Sequence, residues 1–245
     1  MEKDGVWRES VRISASMVNL NKQIRLTALC NFLQEIAGNH ARFLGMGYQG
    51  MQERGQFWAL SRIKLEMQTF PLWLEDIHIH SWVSSIKGPF SHRNFLMLRE
   101  DGTELGSASS LWALLSGENR RPSRIQNHTF TVLEEKLPAC GLPPKLPNIQ
   151  DGALLRTHEV VFSDLDMIGH VNNGKYVEWI TDAVTTDRSS WEAYDLIINY
   201  LQETVAAESV DIYGLAQDSY HLYELKKTDQ DQPVCRAKIR WRKRS

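Results

Sequence analysis

Read as a string of apolar and polar positions, the chain changes period several times. Across residues 26–41 apolar side chains recur at Leu26, Leu29, Cys30, Leu33, Ile36 and Ala37, the three-to-four spacing of an α-helix. Phe32 and Phe43 add apolar surface off that stripe, so this helix is expected to be buried on most sides. Residues 11–17 read as a strand before it. After it, a glycine-rich turn at 44–50 leads into strand-like runs at 57–67, 77–85, 91–99 and 106–116, with Asp101 and Gly102 as a hairpin signal between the last two.

The pattern then breaks and restarts. Residues 137–154 hold four of the chain's eight prolines, which suits an extended connection without regular structure. Beyond it come a strand at 156–162, a turn at 163–169 and a helix at about 173–186. Strands near 196–207, 209–217, 219–227 and 234–241 follow. Two successive units of strand, long helix and antiparallel strands suggest a diverged duplication. The expected organisation is an N-terminal unit over 1–136, a linker over 137–154 and a C-terminal unit over 155–245; periodicity alone establishes only an α+β class.

Composition narrows the function classes. With 42% hydrophobic residues the chain can bury a core. No apolar run approaches a membrane span, and the first ten residues lack the apolar stretch of a secretory signal. A cytoplasmic protein without membrane insertion is therefore expected, where the glycosylation sequon at 127–129 has no consequence. A net charge of −2 argues against a dedicated nucleic-acid binder. Two local basic clusters stand out: Arg120, Arg121 and Arg124, and the run from Arg236 to Arg244. Each reads either as a solvated loop or charge-protected edge strand, or as a landing surface for an acidic partner. Cys30, Cys140 and Cys235 are widely spaced, which indicates neither a zinc ribbon nor a disulfide framework.

The stretch from Ser163 to Ile180 carries the densest chemistry. A turn bearing Asp164, Asp166, Gly169, His170, Asn172 and Asn173 runs into an apolar helix. The start of a helix offers unpaired N–H groups and a partial positive charge, suited to polarising a carbonyl. Asp166 and His170 can both point there, with the carboxylate orienting the imidazole. On the structural side, Asn172 or Asn173 is a natural helix cap and Asp164 or Asp166 a natural turn closer; for the asparagines capping is the preferred reading.

This segment resembles the D-x-x-x-H-V-N-N-x-x-Y signature of hotdog thioesterases, and within them most closely the acyl-acyl-carrier-protein thioesterases of plants and bacteria. The resemblance spans roughly residues 10–215 and includes Phe57 to Lys64 and Asn119 to Ile125. It implies two tandem hotdog repeats, each a long central helix wrapped by a curved antiparallel sheet, with an acyl-chain pocket in the first and the catalytic site in the second. It further implies hydrolysis of fatty-acyl thioesters on an acidic acyl carrier protein, with no metal or organic cofactor. Asp166 and His170 match two family catalytic positions, and Glu203, on what resembles the family's tyrosine-containing strand, matches the general base. Thr204 stands where plant members have a cysteine, so a cysteine nucleophile is not expected. One position departs: Ile168 replaces the family asparagine and cannot hydrogen-bond through its side chain, leaving catalysis to Asp166, His170, Glu203 and backbone donors, or to Asn172 as a substitute. Trp58, Leu60, Phe32 and Leu33 are candidates to line the acyl pocket; plain core packing explains them equally well.

Other signals carry less. Gly45, Gly47 and Gly50 spell GxGxxG but follow a helix and leave no room for the helix a dinucleotide site requires. His78 and His80 alternate on a strand with no third ligand nearby, so exposed strand histidines are expected. A hotdog dehydratase is disfavoured because prolines do not follow His170. An acyl-coenzyme A thioesterase and a non-catalytic acyl binder remain open, as does a monomeric or homodimeric state.

Overall fold

The computed structural model describes residues 4–126, 130–136, 140–184 and 190–244. The sequon at 127–129, the first residues of the linker and the end of the helix expected to reach 186 lie outside them. The chain forms two compact units, one made of Met1–Ile24 and Phe32–Pro143, the other of Arg25–Asn31 and Pro144–Ser245.

In the first unit, strand β1 (Val6–Arg12) is followed by a 3-10 turn at Ala15–Met17, helix α1 (Leu26–Phe43), whose residues 26–31 group with the second unit, the short helix α2 (Tyr48–Glu53) and strands β2 (Gln56–Met67), β3 (Asp76–Lys87), β4 (Phe90–Arg99) and β5 (Glu104–Ser116). The strands lie side by side in the order β1-β3-β4-β5-β2, every pairing antiparallel. Ile63, Leu65, Ile77, Ile79, Phe95, Met97 and Ala108 alternate with more exposed or polar neighbours and are fully buried. That period of two selects one face of the sheet for the core.

The strand expected at 11–17 begins five residues earlier, and its second half is the 3-10 turn. Polar residues at every second position of β1 hid its pattern. The expected glycine turn at 44–50 is two devices. Gly45, at φ 71°, ends α1 in a Schellman arrangement: the Met46 N–H bonds the Ala41 carbonyl and the Gly45 N–H that of Arg42. Helix α2 follows at once, and Gly47 lies so close to the Arg42 backbone that a Cβ there would sit 2.7 Å from its Cα. Met46 and Met51 then close a small cluster with Leu114, against which Trp58, Ile125 and Phe130 pack.

In the second unit, strand β6 (Ala153–Glu159) leads through a 3-10 turn at Phe162–Asp164 into helix α3 (Asn173–Ala183) and strands β7 (Trp191–Tyr200), β8 (Ser209–Ala216), β9 (His221–Lys227) and β10 (Pro233–Lys243). Their order is β6-β8-β9-β10-β7, again antiparallel throughout. The strands expected at 156–162 and 196–207 both start earlier. The second was obscured because Glu192 and Asp195 interrupt its apolar pattern; both are neutralised across the ladder, by Arg242 and Arg240. The basic run at 236–244 is therefore no charged edge. It forms β10, between β7 and β9, and Arg236 pairs with buried Glu224.

The described part of the proline-rich connection has no regular structure up to residue 152, after which β6 takes over the last two residues of the expected linker, yet it is anchored. Cys140 donates its N–H to Ser107, and Asn199 both accepts from the Leu146 N–H and donates to the Pro144 carbonyl. No helix among the described residues is long and apolar enough to cross a membrane.

Candidate active site

The site grows from the turn between β6 and α3. The Asp166 carboxylate accepts the backbone N–H groups of Ile168 (2.9 Å) and His170 (3.1 Å), and the Asp166 N–H bonds the His170 carbonyl at 2.7 Å. This closes a tight loop whose corner is Gly169, at φ 85°, a backbone region glycine enters without strain. Asp166 thus binds the turn backbone, and its carboxylate is the turn closer named as one of its two readings. Asn172 caps α3, accepting the Gly174 N–H at 2.8 Å, as the capping preference predicts. Asn173 opens the helix, and its carbonyl accepts the Tyr200 hydroxyl.

Two further bonds bring in the opposite wall. The Val171 N–H donates to the Thr204 carbonyl at 2.8 Å, and the Tyr176 hydroxyl donates to the buried Thr204 hydroxyl at 2.9 Å. Glu203, next to that anchor, lies with Oε2 3.5 Å from His170 Nε2, their side chains 43% and 24% exposed. Glu203 is not on a strand as expected: β7 ends at Tyr200, because the N–H groups of both Leu201 and Gln202 turn to the Val234 carbonyl. The loop, not a sheet ladder, aims the carboxylate. At 3.5 Å the two groups are looser than a hydrogen bond, close enough to reach a common third atom.

The amides around the turn are engaged. Ile168, Gly169 and His170 donate to Asp166, while Gly174 and Lys175 donate to Asn172. The expected presentation of first-turn N–H groups to a carbonyl is therefore corrected at these positions; the helix dipole remains. Ile168 is half exposed and projects no polar group.

Beneath the turn lies a cluster the sequence did not reveal. Asp164, 3% exposed, accepts from His158 Nε2 (2.8 Å) and the Val161 N–H (3.0 Å), faces Lys175 Nζ at 3.6 Å, and gives its carbonyl to the Asn172 N–H. Burial works against the ionised carboxyl, but the His158 bond, the Val161 N–H and the Lys175 charge outweigh it and hold the group below the usual carboxylate range. His158 also packs on Trp179, ring centroids 4.3 Å apart.

The first unit carries the same backbone frame. The Asn19 side-chain oxygen accepts the N–H groups of Asn21 and Gln23, and the Asn19 N–H bonds the Gln23 carbonyl. Lys22 takes the left-handed corner at φ 60°, and the Ile24 N–H bonds the Pro71 carbonyl. Leu72 donates to Glu75 as Val205 does to Glu208. Residue for residue, Gln23 matches His170 and Phe70 matches Glu203.

The remaining candidates are distributed as follows. Leu60, Phe32 and Leu33 are buried, and Trp58 donates its indole N–H to the Met46 carbonyl within the α2 cluster, a core role. All three cysteines are buried; desolvation raises the Cys30 thiol to about 12 and the Cys140 thiol to about 11, and pushes Cys235 up as well. None is poised as a thiolate nucleophile. His78 and His80 are half-buried rather than exposed, and His78 bonds Ser10 across to β1. Among the described residues no group of three or more metal-ligating side chains is assembled. Arg120, Arg121 and Arg124 are exposed, Arg120 lying over the Phe57 ring.

Comparison with known proteins places this arrangement in a class of thioester hydrolases. Residues 4–133 match the family described as acyl-ACP thioesterase N-terminal domain and residues 150–243 its C-terminal domain. The chain belongs to the acyl-ACP thioesterase family. It is 24% identical over its full length to oleoyl-acyl carrier protein thioesterase 2 of Arabidopsis thaliana, spanning 79% of that protein. It is 27% identical over 82% of its length to an acyl-[acyl-carrier-protein] hydrolase of Cuphea viscosissima, spanning 53% of it. An acyl-ACP thioesterase from Bacteroides thetaiotaomicron shares the fold with a TM-score of 0.90 at 23% identity, over 97% of this chain and 98% of that one. The 12:0-ACP thioesterase of Umbellularia californica does so with a TM-score of 0.83 at 21% identity, over the whole of both chains. The fold is of this hotdog type.

Proposed function

We propose that the chain hydrolyses fatty-acyl thioesters of acyl carrier protein, releasing free fatty acid and ending fatty-acid synthesis, with His170 and Glu203 as the catalytic pair. The observation that carries this reading is their approach to 3.5 Å at the partly exposed start of α3. Glu203 takes a proton from water as its oxygen attacks the thioester carbonyl and passes it to His170 Nε2, 3.5 Å away. The helix dipole and the protonated imidazole stabilise the oxyanion. Its collapse breaks the C–S bond, and the leaving thiolate takes the proton from His170. Asp166 contributes by holding the turn that carries His170. No cofactor enters this chemistry.

The architecture we read is a tandem of hotdog repeats over 1–136 and 155–245 joined by a linker at 137–154. The matching strand orders and matching turns support it. We place the acyl chain in the first repeat, near Leu60, Phe32 and Leu33, and assign the chain to the cytoplasm as a monomer or homodimer. An acyl-coenzyme A substrate is the second reading, since the site itself contains nothing that selects the carrier. Thiol release from acyl-carrier-protein and acyl-coenzyme A thioesters of graded length, run with wild type, His170→Ala and Glu203→Gln, tests both. Carrier-dependent turnover lost in each variant is expected. Acyl binding without turnover in the wild type would overturn the reading.

A further inference from the structure

We infer that Asp164, together with His158 and Lys175, is a positioning cluster for the reaction at His170 and Glu203; this rests on the hydrolase reading above. The first unit supplies the argument, because it builds the same turn without these charges. The positions matching His158 and Asp164 are Val11 and Met17 in the first unit, and the position matching Lys175 is Ala28, near the start of α1. There the Ser14 N–H meets the Met17 sulfur at 3.5 Å, where the Val161 N–H meets the Asp164 carboxylate at 3.0 Å. The frame therefore forms with an apolar residue at its base. Burying an ion pair costs desolvation that roughly cancels its attraction, so stability alone gives no reason for one unit to hold the charged version.

What the cluster adds is a fixed geometry at the site. One carboxylate ties the end of β6 through His158, the 3-10 turn through the Val161 N–H, and the first turn of α3 through Lys175. Lys175 is held from its other side by Glu178 at 3.3 Å. The Asp164 carbonyl fixes the Asn172 N–H, two residues from His170, and the intervening Val171 N–H is bonded to Thr204, the neighbour of Glu203. A shift of Asp164 thus reaches both members of the catalytic pair through one or two bonds. Ångström-scale displacement of reacting groups costs up to about a hundredfold in rate.

The test installs the matching N-terminal residues: His158→Val, Asp164→Met and Lys175→Ala in one chain, assayed by thiol release from acyl-carrier-protein thioesters beside wild type and Lys175→Arg. The expected result is a melting temperature unchanged or raised, kcat lower by about ten- to a hundredfold with KM little changed, and Lys175→Arg close to wild type. Amide hydrogen exchange at Val171 and Asn172 should accelerate while that at Ile24 does not. A triple variant that fails to fold, or whose melting temperature falls in step with kcat, would make the cluster structural and overturn the proposal; so would an unchanged kcat. If the wild type itself shows no turnover, the hydrolase reading fails, and the exchange measurement alone decides the cluster, unchanged protection at Val171 and Asn172 overturning it.

Discussion

Asn19 and Asp166 hold matching places in the two units, each side-chain oxygen accepting two backbone N–H bonds from the residues two and four positions on. Around them the same backbone bonds close the same loop, yet only one of twelve paired residues across 13–24 and 160–171 is identical, Ser16 with Ser163. The frame is thus set by backbone hydrogen bonding and a side-chain oxygen at one position. The chemistry is what the frame displays: Gln23 and Phe70 in the first unit, His170 and Glu203 in the second. A neutral amide builds the turn as well as a carboxylate does, which separates the shape that Asp166 provides from any charge it adds.

The comparison is sharpest at the catalytic pair. Glu203→Gln removes the base from a loop position and should lower kcat by about a hundred- to ten-thousandfold, measured as steady-state thiol release. Asp166 comes next. Asp166→Ala removes two turn bonds and should cost about tenfold in kcat, whereas Asp166→Asn copies Asn19 and should retain the rate to within about threefold; an asparagine variant as poor as alanine would give the carboxylate a direct chemical part.

Acid unfolding should distinguish the units. In the first, His40 is buried, accepts at Nδ1 from Arg93 and stacks on Trp7; burial and then the Arg93 charge lower its pKa to about 3. A histidine depressed in the folded state is neutral there and protonates on unfolding. Its stabilisation is therefore full above the ordinary value near 6.5 and declines as pH falls from there towards 3. Asp164, also depressed, stabilises above the ordinary carboxylate value and loses that contribution only as pH drops through its lower folded value. Chemical denaturation between pH 7 and 4 should lose stability in wild type and lose less in His40→Phe. Asp164→Met should leave that window almost unchanged and flatten the slope below it. The smallest expected effect is Gln23→Ala, with kcat indistinguishable from wild type in the same thiol assay.

Much of this was legible along the chain. The stripe of Leu26, Leu29, Leu33 and Ile36 marks α1, and Asp101 and Gly102 mark the β4–β5 hairpin, because both are local periodicities or local turn preferences. The motif residues Asp166, His170 and Asn172 are likewise consecutive in one turn. Glu203 was recognisable by resemblance, but its loop was not: the end of β7 is set by the Val234 carbonyl on a distant strand. The Asp164 cluster was missed for a similar reason. His158 and Lys175 meet Asp164 only after the 3-10 turn folds the chain back, and no spacing rule announces that. The start of β7 was obscured by polar residues that the ladder pairs, as with Asp195 and Arg240.

The most direct test of the central claim is His170→Gln, which places the first unit's own residue in a frame already shown to hold it. The melting temperature should be unchanged and kcat for acyl-carrier-protein thioester hydrolysis lower by about a hundredfold or more. A correctly folded His170→Gln enzyme working at the wild-type rate would contradict that claim, and would move the catalytic centre away from this turn.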